Sequence, residues 1–450
     1  MLKVNDKIEY TAAYYSNAET VGEFDGYTVF VPFMLVGERA LVKINYVKRN
    51  VAYADVVKIL EPSPNRIHPV CTHFGRCGGC SLMNMRYEEQ LNFKRNKVKQ
   101  NLVKIGKLNC GVLPCVPSYK QLGYRNKLSL PVAGKKGNAV IGMYRRGTHS
   151  VVECRDCLLG GQWSATLVNL FADYLNAEGI SPYNETDFSG EVRHLVARYI
   201  DGQLLVTVVS NGEFKHSLQP LADRLKFCFD KFGLFVNVNT CKNNVIMGKK
   251  TTHVCGIRYI QSEHLGVKFR LQPNSFFQVN DGVKDAIYLK VQQLLDLSKT
   301  EALVDCFSGV GVLTNVLANG KFDTYAVEIE PSAVRDAQDL AELNSKNITN
   351  ICGDVNTELP RLMEKLADKR VTMVVDPPRK GLGEKVCNTI LNTNVDNIVY
   401  ISCDSATLAR DLAMLTAKYN VTYAEPYDLF PQTDQVETVV LLTCTENKDQ

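Results

Sequence analysis

The sequence predicts an α/β protein. Its C-terminal part, residues 271–450, reads as a doubly wound parallel sheet, preceded by a small β-barrel over residues 1–60 and a β-rich central region over residues 61–270. Three observations predict this. From about Gln272, apolar runs of strand length alternate with helical patterns, as a parallel sheet with crossover helices requires. Before that point, apolar and polar residues alternate in short runs such as YTVFVPF and ALVKINYV, broken by Gly26 and Gly37. In the last part, polar residues able to do chemistry follow directly on buried apolar runs. A chain of 450 residues with 45% hydrophobic content is too long for one core and suits two or three soluble domains.

In the barrel, Tyr14, Tyr15, Phe24, Tyr27 and Tyr46 are candidates to stack on bases, with Lys43, Lys48 and Arg49 for phosphates; core packing is the alternative. The prolines of EPSPNRIHP make residues 61–69 a linker. Over 87–107, Leu91, Val98, Leu102 and Ile105 fall near one helical face and Lys94, Arg95, Lys97 and Lys99 on the others, an amphipathic basic helix. Residues 120–265 hold strands and hairpins, among them HLVARYIDGQLLVTVVSNG, turned at Asp201-Gly202.

Charge is unevenly spread. Residues 1–150 carry 23 Lys and Arg against 10 Asp and Glu, leaving +13 there and −9 in the remainder. Such a split suits contact of the N-terminal third with a polyanion, the alternative being a solvated basic face. No run reaches the eighteen or so apolar residues of a membrane helix, and MLKVNDKIEY lacks the apolar stretch of a signal peptide, so a cytoplasmic protein without membrane contact is expected. The 15 cysteines are odd in number and scattered, which argues for reduced thiols, a metal site or a catalytic thiol over a disulfide framework.

The stretch ALVDCFSGVGVLTNVLA reads as a buried strand, a loop with Phe307, Gly309 and Gly311, and a helix whose first N–H groups are free to meet a ligand. Thr314 stands where a dinucleotide fingerprint would want a third glycine, which argues against NAD or FAD. Glu328 closes the next strand, placed to accept hydrogen bonds from ribose hydroxyls, and Asp354 follows a further strand as an adenine-side contact. The arrangement resembles the Rossmann-like class I methyltransferases.

Two more buried runs deliver Asp376, in VTMVVDPPRKG, and Cys403, in NIVYISCDSATLARDL, just before a helix starting near Ala406. Ligands of open parallel sheets bind beyond the carboxyl ends of the strands, so Gly309, Glu328, Asp376 and Cys403 are expected along one edge. A thiol between a strand end and a helix N-terminus is exposed and favoured as thiolate, as a nucleophile needs. DPPRKG, SCDSATLARDL, QPNSFFQVN and FPQTDQVETVVLL together resemble the motifs of the RNA uracil-5-methyltransferase family, and the N-terminal barrel resembles that family's TRAM domain. The resemblance covers nearly the whole chain.

That resemblance implies S-adenosylmethionine as methyl donor, RNA as partner, a covalent nucleophile in Cys403 and a proton-removing base in Glu437. It further implies cofactor contacts from Gln278, Phe307, Gly309, Gly311, Glu328, Asp354 and Asp376, the last facing cofactor or target base. Phe276 would stack on an everted uracil, and Arg125 and Lys127, with the barrel and the basic helix, would meet RNA. Glu437 begins the last strand, expected antiparallel, so that it starts beside Cys403. Gln435 and Val312 depart from the commoner pattern, which often has His and Asn there. Cys71, Cys77 and Cys80, in C-x5-C-G-G-C, with CRDC at 154–157, offer thiolates for zinc or a 4Fe–4S cluster, and three near ligands with one remote suit the cluster better. The resemblance assigns the fourth ligand to Cys157. A 23S rRNA uridine is the expected target and a monomer the expected state; a tRNA T-loop uridine is the runner-up. A non-catalytic RNA-binding iron–sulfur redox sensor is the reading from another class.

Overall fold

The computed structural model describes residues 1–295 and 297–445. The first six strands, β1 (Lys7–Thr11), β2 (Tyr14–Ser16), β3 (Glu19–Phe24), β4 (Tyr27–Pro32), β5 (Arg39–Lys48) and β6 (Val51–Glu61), form one sheet in the order β1-β5-β6-β4-β3-β2. Its alternate residues Val29, Val31, Val42, Ile44, Ala52 and Ala54 are buried together, the period-two pattern of a sheet wrapped round its own core. Of the proposed stacking residues, Tyr14 and Tyr46 are exposed. Phe24 and Tyr27 pack on the barrel core. Tyr15 lies edge-on to Phe93 at 5.0 Å and accepts a hydrogen bond from Val36 N.

Helix α1 (Tyr87–Lys104) corrects the basic-helix reading. Its Val98 and Leu102 enter the core of the C-terminal sheet, and Lys94, Arg95 and Lys97 turn inward while Lys99 stays exposed. Lys94, with no exposed side chain, pairs with the equally buried Asp428 and donates to Phe430 O; Arg95 donates twice to Val112 O, and Lys97 to Asp434. Periodicity marks which face is apolar; it does not show that the charged faces meet carbonyls and carboxylates of another element.

The central sheet has the order β13-β12-β11-β10-β7-β8-β9. Its strands are β7 (Lys127–Lys135), β8 (Asn138–Tyr144), β9 (Val151–Glu153), β10 (Val192–Ile200), β11 (Gln203–Ser210), β12 (Lys231–Val238) and β13 (Lys250–Gly256), with α2 (Gln162–Ala177) and α3 (Gln219–Cys228) packed against it. The β10–β11 turn falls at Asp201-Gly202, both at positive φ as a two-residue hairpin of this kind demands. A hairpin, β14 (Ile260–His264) and β15 (Val267–Leu271), leads into the C-terminal part.

There α4 (Asp281–Leu294) precedes β16 (Ala302–Cys306), α5 (Val312–Leu317), β17 (Asp323–Glu328), α6 (Pro331–Leu343), β18 (Thr349–Cys352), α7 (Val355–Lys365), β19 (Val371–Val375), α8 (Glu384–Leu391), β20 (Val395–Ser402), α9 (Ser405–Leu415), β21 (Tyr419–Tyr427) and β22 (Glu437–Cys444). The sheet order is β18-β17-β16-β19-β20-β22-β21. Neighbours are parallel from β18 to β20, and β22 runs antiparallel between β20 and β21, as expected. Strand order reverses between β16 and β19, which opens a crevice at their carboxyl ends.

Candidate active site

A cleft of about 1560 Å³ lies over that crevice. Its wall includes Phe307 and Gly309 after β16, Glu328 at the end of β17, Asp354 after β18, Asp376 after β19, Cys403 after β20 and Glu437 at the start of β22. Phe276, Gln278, Arg125, Cys77 and Cys80 join from other parts of the chain. Gly311, Lys127, Cys71 and Cys157 are not on this wall.

Each of these positions has a local cause. Gly311 takes a left-handed conformation at the start of α5, and a Cβ there would meet that of Ala337 at 3.1 Å, so it lets α5 approach α6. Phe307, which is not glycine, also has positive φ (66°), backbone strain of the kind that collects at ligand sites. Glu328 accepts from Gly309 N at 3.0 Å and from Glu330 N at 2.9 Å. A carboxylate has about four lone-pair sites, so capacity remains for ribose hydroxyls. Asp354 caps α7 and accepts from Asn356 N, which holds its carboxyl below the usual range. The two neighbouring phenylalanines divide: Phe276 is 68% exposed at the cleft and Phe277 is buried against Phe269.

Cys403 and Glu437 meet because β20 and β22 pair with Ser402 opposite Thr438. Glu437 is 2% exposed; burial, then the like charge of Asp376, pushes its carboxyl well up, and burial lifts Asp376 to about 7. Ionising one of two such buried carboxyls disfavours ionising the other. The Cys403 thiol departs from expectation. Burial, then Glu437 and Asp376, raises it to about 11, against the opposing pull of Arg379. The N-terminus of α9 does not offset this, because the Asp404 side chain already accepts from Ala406 N and Thr407 N.

Lys127 lies on β7 opposite Arg198 of β10, drawn down to about 8 by burial and then by that cation, away from the cleft. Arg125 reaches the cleft, with its buried Nε unpaired among the described residues. Reading the sequence overlooked Tyr288, Arg379 and Arg146, all on the cleft wall. Arg379 was within sight in DPPRKG; its Nη2 donates to Gln435 Oε1 at 3.3 Å. Nothing marked Tyr288, one helical turn from Lys284, or Arg146, which pairs with Glu19 of the barrel.

The cysteines converge beside the cleft. Cys71, Cys80 and Cys157 pack against Met83, Tyr124 and Leu159, and Cys77 lies within electrostatic reach of Cys71 and Cys157. Burial, then the neighbouring thiols, raises Cys80 to about 12, the crowding that a bound cation relieves. Gly78 donates to Tyr144 O, and a Cβ there would strike that oxygen at 2.9 Å, so C-G-G-C fits the sheet edge closely. Cys154 is buried, and its thiol hydrogen-bonds to Cys157 and lowers it.

A parallel sheet with a glycine loop, the Glu328 carboxylate and the Cys403 thiol near Glu437 along one edge fits the class of S-adenosylmethionine-dependent methyltransferases. Residues 86–445 match the family model of tRNA (uracil-5-)-methyltransferases and residues 7–57 that of the TRAM domain. The chain belongs to the tRNA (uracil-5-)-methyltransferase family, a family of S-adenosylmethionine-dependent RNA methyltransferases. It is 34% identical to an RNA methyltransferase of Halalkalibacterium halodurans over 94% of its length and 93% of the relative's. It is likewise 34% identical to one of Clostridium acetobutylicum, over 98% and 97%. Among solved structures, the tRNA (uracil-54, C5)-methyltransferase of Pyrococcus abyssi in complex with S-adenosyl-L-homocysteine matches with a TM-score of 0.77, 26% identity and coverage of 96% of this chain and 99% of that one. No helix among the described residues is long and apolar enough to cross a membrane.

Proposed function

We propose that the protein methylates carbon 5 of a uridine in RNA through a covalent bond from Cys403 to carbon 6 of the base. The observation that carries this reading is the meeting of Cys403, Glu437 and Asp376 in the cleft that also holds the glycine loop. Carbon 5 of uracil is a weak nucleophile. The Cys403 thiol gives its proton to solvent, and addition of the resulting thiolate to carbon 6 moves the electron pair of the 5,6 double bond toward oxygen 4 and makes carbon 5 an enolate carbon. S-adenosylmethionine, which the glycine loop with Glu328, Asp354 and Gln278 would hold, would supply an electrophilic methyl group to carbon 5, its positive sulfonium leaving as a neutral thioether. Glu437 then takes the proton from carbon 5, the double bond re-forms, and the Cys403 sulfur departs. A carboxyl raised by burial is the stronger base once ionised. Phe276, exposed at the rim, offers its ring to the everted base.

Incubation of Cys403→Ala with S-adenosylmethionine and unmodified RNA should give no 5-methyluridine. Glu437→Gln should transfer the methyl group and remain attached to RNA on a denaturing gel. Full turnover by the Cys403 variant would remove the nucleophile, and absence of product from the unsubstituted protein would favour the redox-sensor reading instead.

For the target we favour a 23S rRNA uridine, on the resemblance of barrel, cysteines and catalytic half to rRNA-modifying relatives. A tRNA uridine is the second reading, favoured by the full-length likeness to an enzyme named for tRNA uracil 54. Mapping 5-methyluridine in both RNAs from cells with and without the gene separates them. Cys71, Cys77, Cys80 and Cys157 are the residues we assign to a 4Fe–4S cluster, their donor set and convergence fitting it. Loaded, the cluster would tie residues 71–80 to residue 157 beside the cleft.

A further inference from the structure

The carboxylate that removes the carbon 5 proton is placed from both sides. After Glu437, β22 is held by its neighbours on the sheet. Before it, residues 431–436 are irregular, and Gln432 sits at a positive φ of 70°, a conformation that persists in such a residue only when the surroundings over-determine it. Those surroundings come from the segment that follows the cysteine loop. Ser81 N and Leu82 N both donate to Gln432 O at 3.0 Å. Asp434 N donates to Ser81 Oγ at 2.9 Å, and Ser81 Oγ donates back to Asp434 Oδ1 at 3.1 Å, a reciprocal pair across 353 positions of sequence. Lys97 closes the arrangement, donating to Asp434 O and Oδ2 at 2.9 and 3.2 Å. Asp434 and its neighbour Gln435 stand on the cleft wall with Ser81, and Gln435 accepts from Arg379, the cation that faces Cys403.

We infer that Ser81 and Asp434 are positioning residues for Glu437, so that the loop carrying Cys77 and Cys80 sets the geometry of proton removal and enzyme release. The inference rests on the covalent reading above and deepens it. Only three peptide bonds separate Asp434 from Glu437, so a loosened Asp434 lets the carboxylate drift from the carbon 5 proton, while Cys403, at the end of β20, stays where it is. Proton removal is the step that suffers; addition and methyl transfer are not.

Single-turnover reactions with S-adenosylmethionine labelled in its methyl group and unmodified RNA test this in full-length Ser81→Ala, Asp434→Asn and Glu437→Gln. Two quantities are read: label transferred to RNA, and the share of labelled RNA that migrates with protein on a denaturing gel over time. Ser81→Ala and Asp434→Asn are expected to transfer methyl at close to the unmodified rate and to release the product about tenfold more slowly or worse, since small displacements of a reacting group cost that much. Release at the normal rate in both variants, or transfer and release falling together in step with a lowered melting temperature, overturns the inference. If Glu437→Gln accumulates the attached RNA and the other two do not, the positioning role alone fails; if Glu437→Gln accumulates none, the base assignment fails and takes the inference with it.

Discussion

At the scale of single residues, the resting Cys403 is a thiol. Its neighbours are two carboxyls, and a negative sulfur beside them, partly withdrawn from water, is costly. The pull of Arg379 is outweighed. A group raised to about 11 is a minor thiolate at neutral pH, and below that value the thiolate fraction grows tenfold for each unit by which pH rises. Alkylation of Cys403 by iodoacetamide in the free enzyme should therefore accelerate about tenfold per unit between pH 7 and 9. Bound S-adenosylmethionine, with its positive sulfonium, should speed it at constant pH. A rate flat across that range would show a preformed thiolate and contradict the electrostatics of the site.

At the scale of elements, α1 carries the largest departure from what its sequence suggests. It reads as a basic surface helix and is a strut: Lys94 is buried against Asp428, whose other oxygen accepts from Tyr87, and Gln90 exchanges hydrogen bonds with Gln432. Such a pair gains little over a well-packed apolar pair, but losing one partner leaves a buried charge alone. Lys94→Met should lower unfolding free energy by roughly 3–5 kcal/mol, measured by denaturant titration, and Lys94→Met with Asp428→Leu should recover most of it. Equal losses in the single and double variants would show that the pair itself stabilises. The glycine loop behaves as its sequence suggests, because Gly309 and Gly311 both take the positive φ that a tight strand-to-helix loop needs and that glycine adopts at no steric cost.

At the scale of the molecule, one cleft is walled by every part of the chain: Asn17 and Phe33 of the barrel, Cys77 and Cys80 of the cysteine loop, Arg125 and Arg146 of the central region, and the strand ends of the C-terminal sheet. The basic surplus of the first 150 residues is only partly available to RNA, since Lys94, Arg95 and Lys97 are used internally and Arg66 is bound to Glu38. The four converging cysteines join segments some eighty residues apart. Anaerobically purified protein should hold about four irons with acid-labile sulfide. Cys157→Ala should lose them while Cys154→Ala keeps them, as iron and sulfide analysis will show. Retention in Cys157→Ala would move the fourth ligand elsewhere.

The barrel, the β-rich middle, the parallel sheet and the edge on which Cys403, Asp376, Glu328 and Gly309 stand were legible in the sequence, because they follow from local period and from the rule that strand ends share one rim. Only the family resemblance singled out Phe276 over its neighbour Phe277, since nothing local separates two adjacent phenylalanines; in the folded loop Phe276 turns to the cleft and Phe277 to the core. The inward cations of α1, the retreat of Lys127, the raised thiol of Cys403 and the Ser81–Asp434 clasp were decided only by the tertiary structure. Each depends on what a side chain meets from a distant part of the chain, and burial and neighbouring charge, which set hydrogen bonding and protonation, have no period to read.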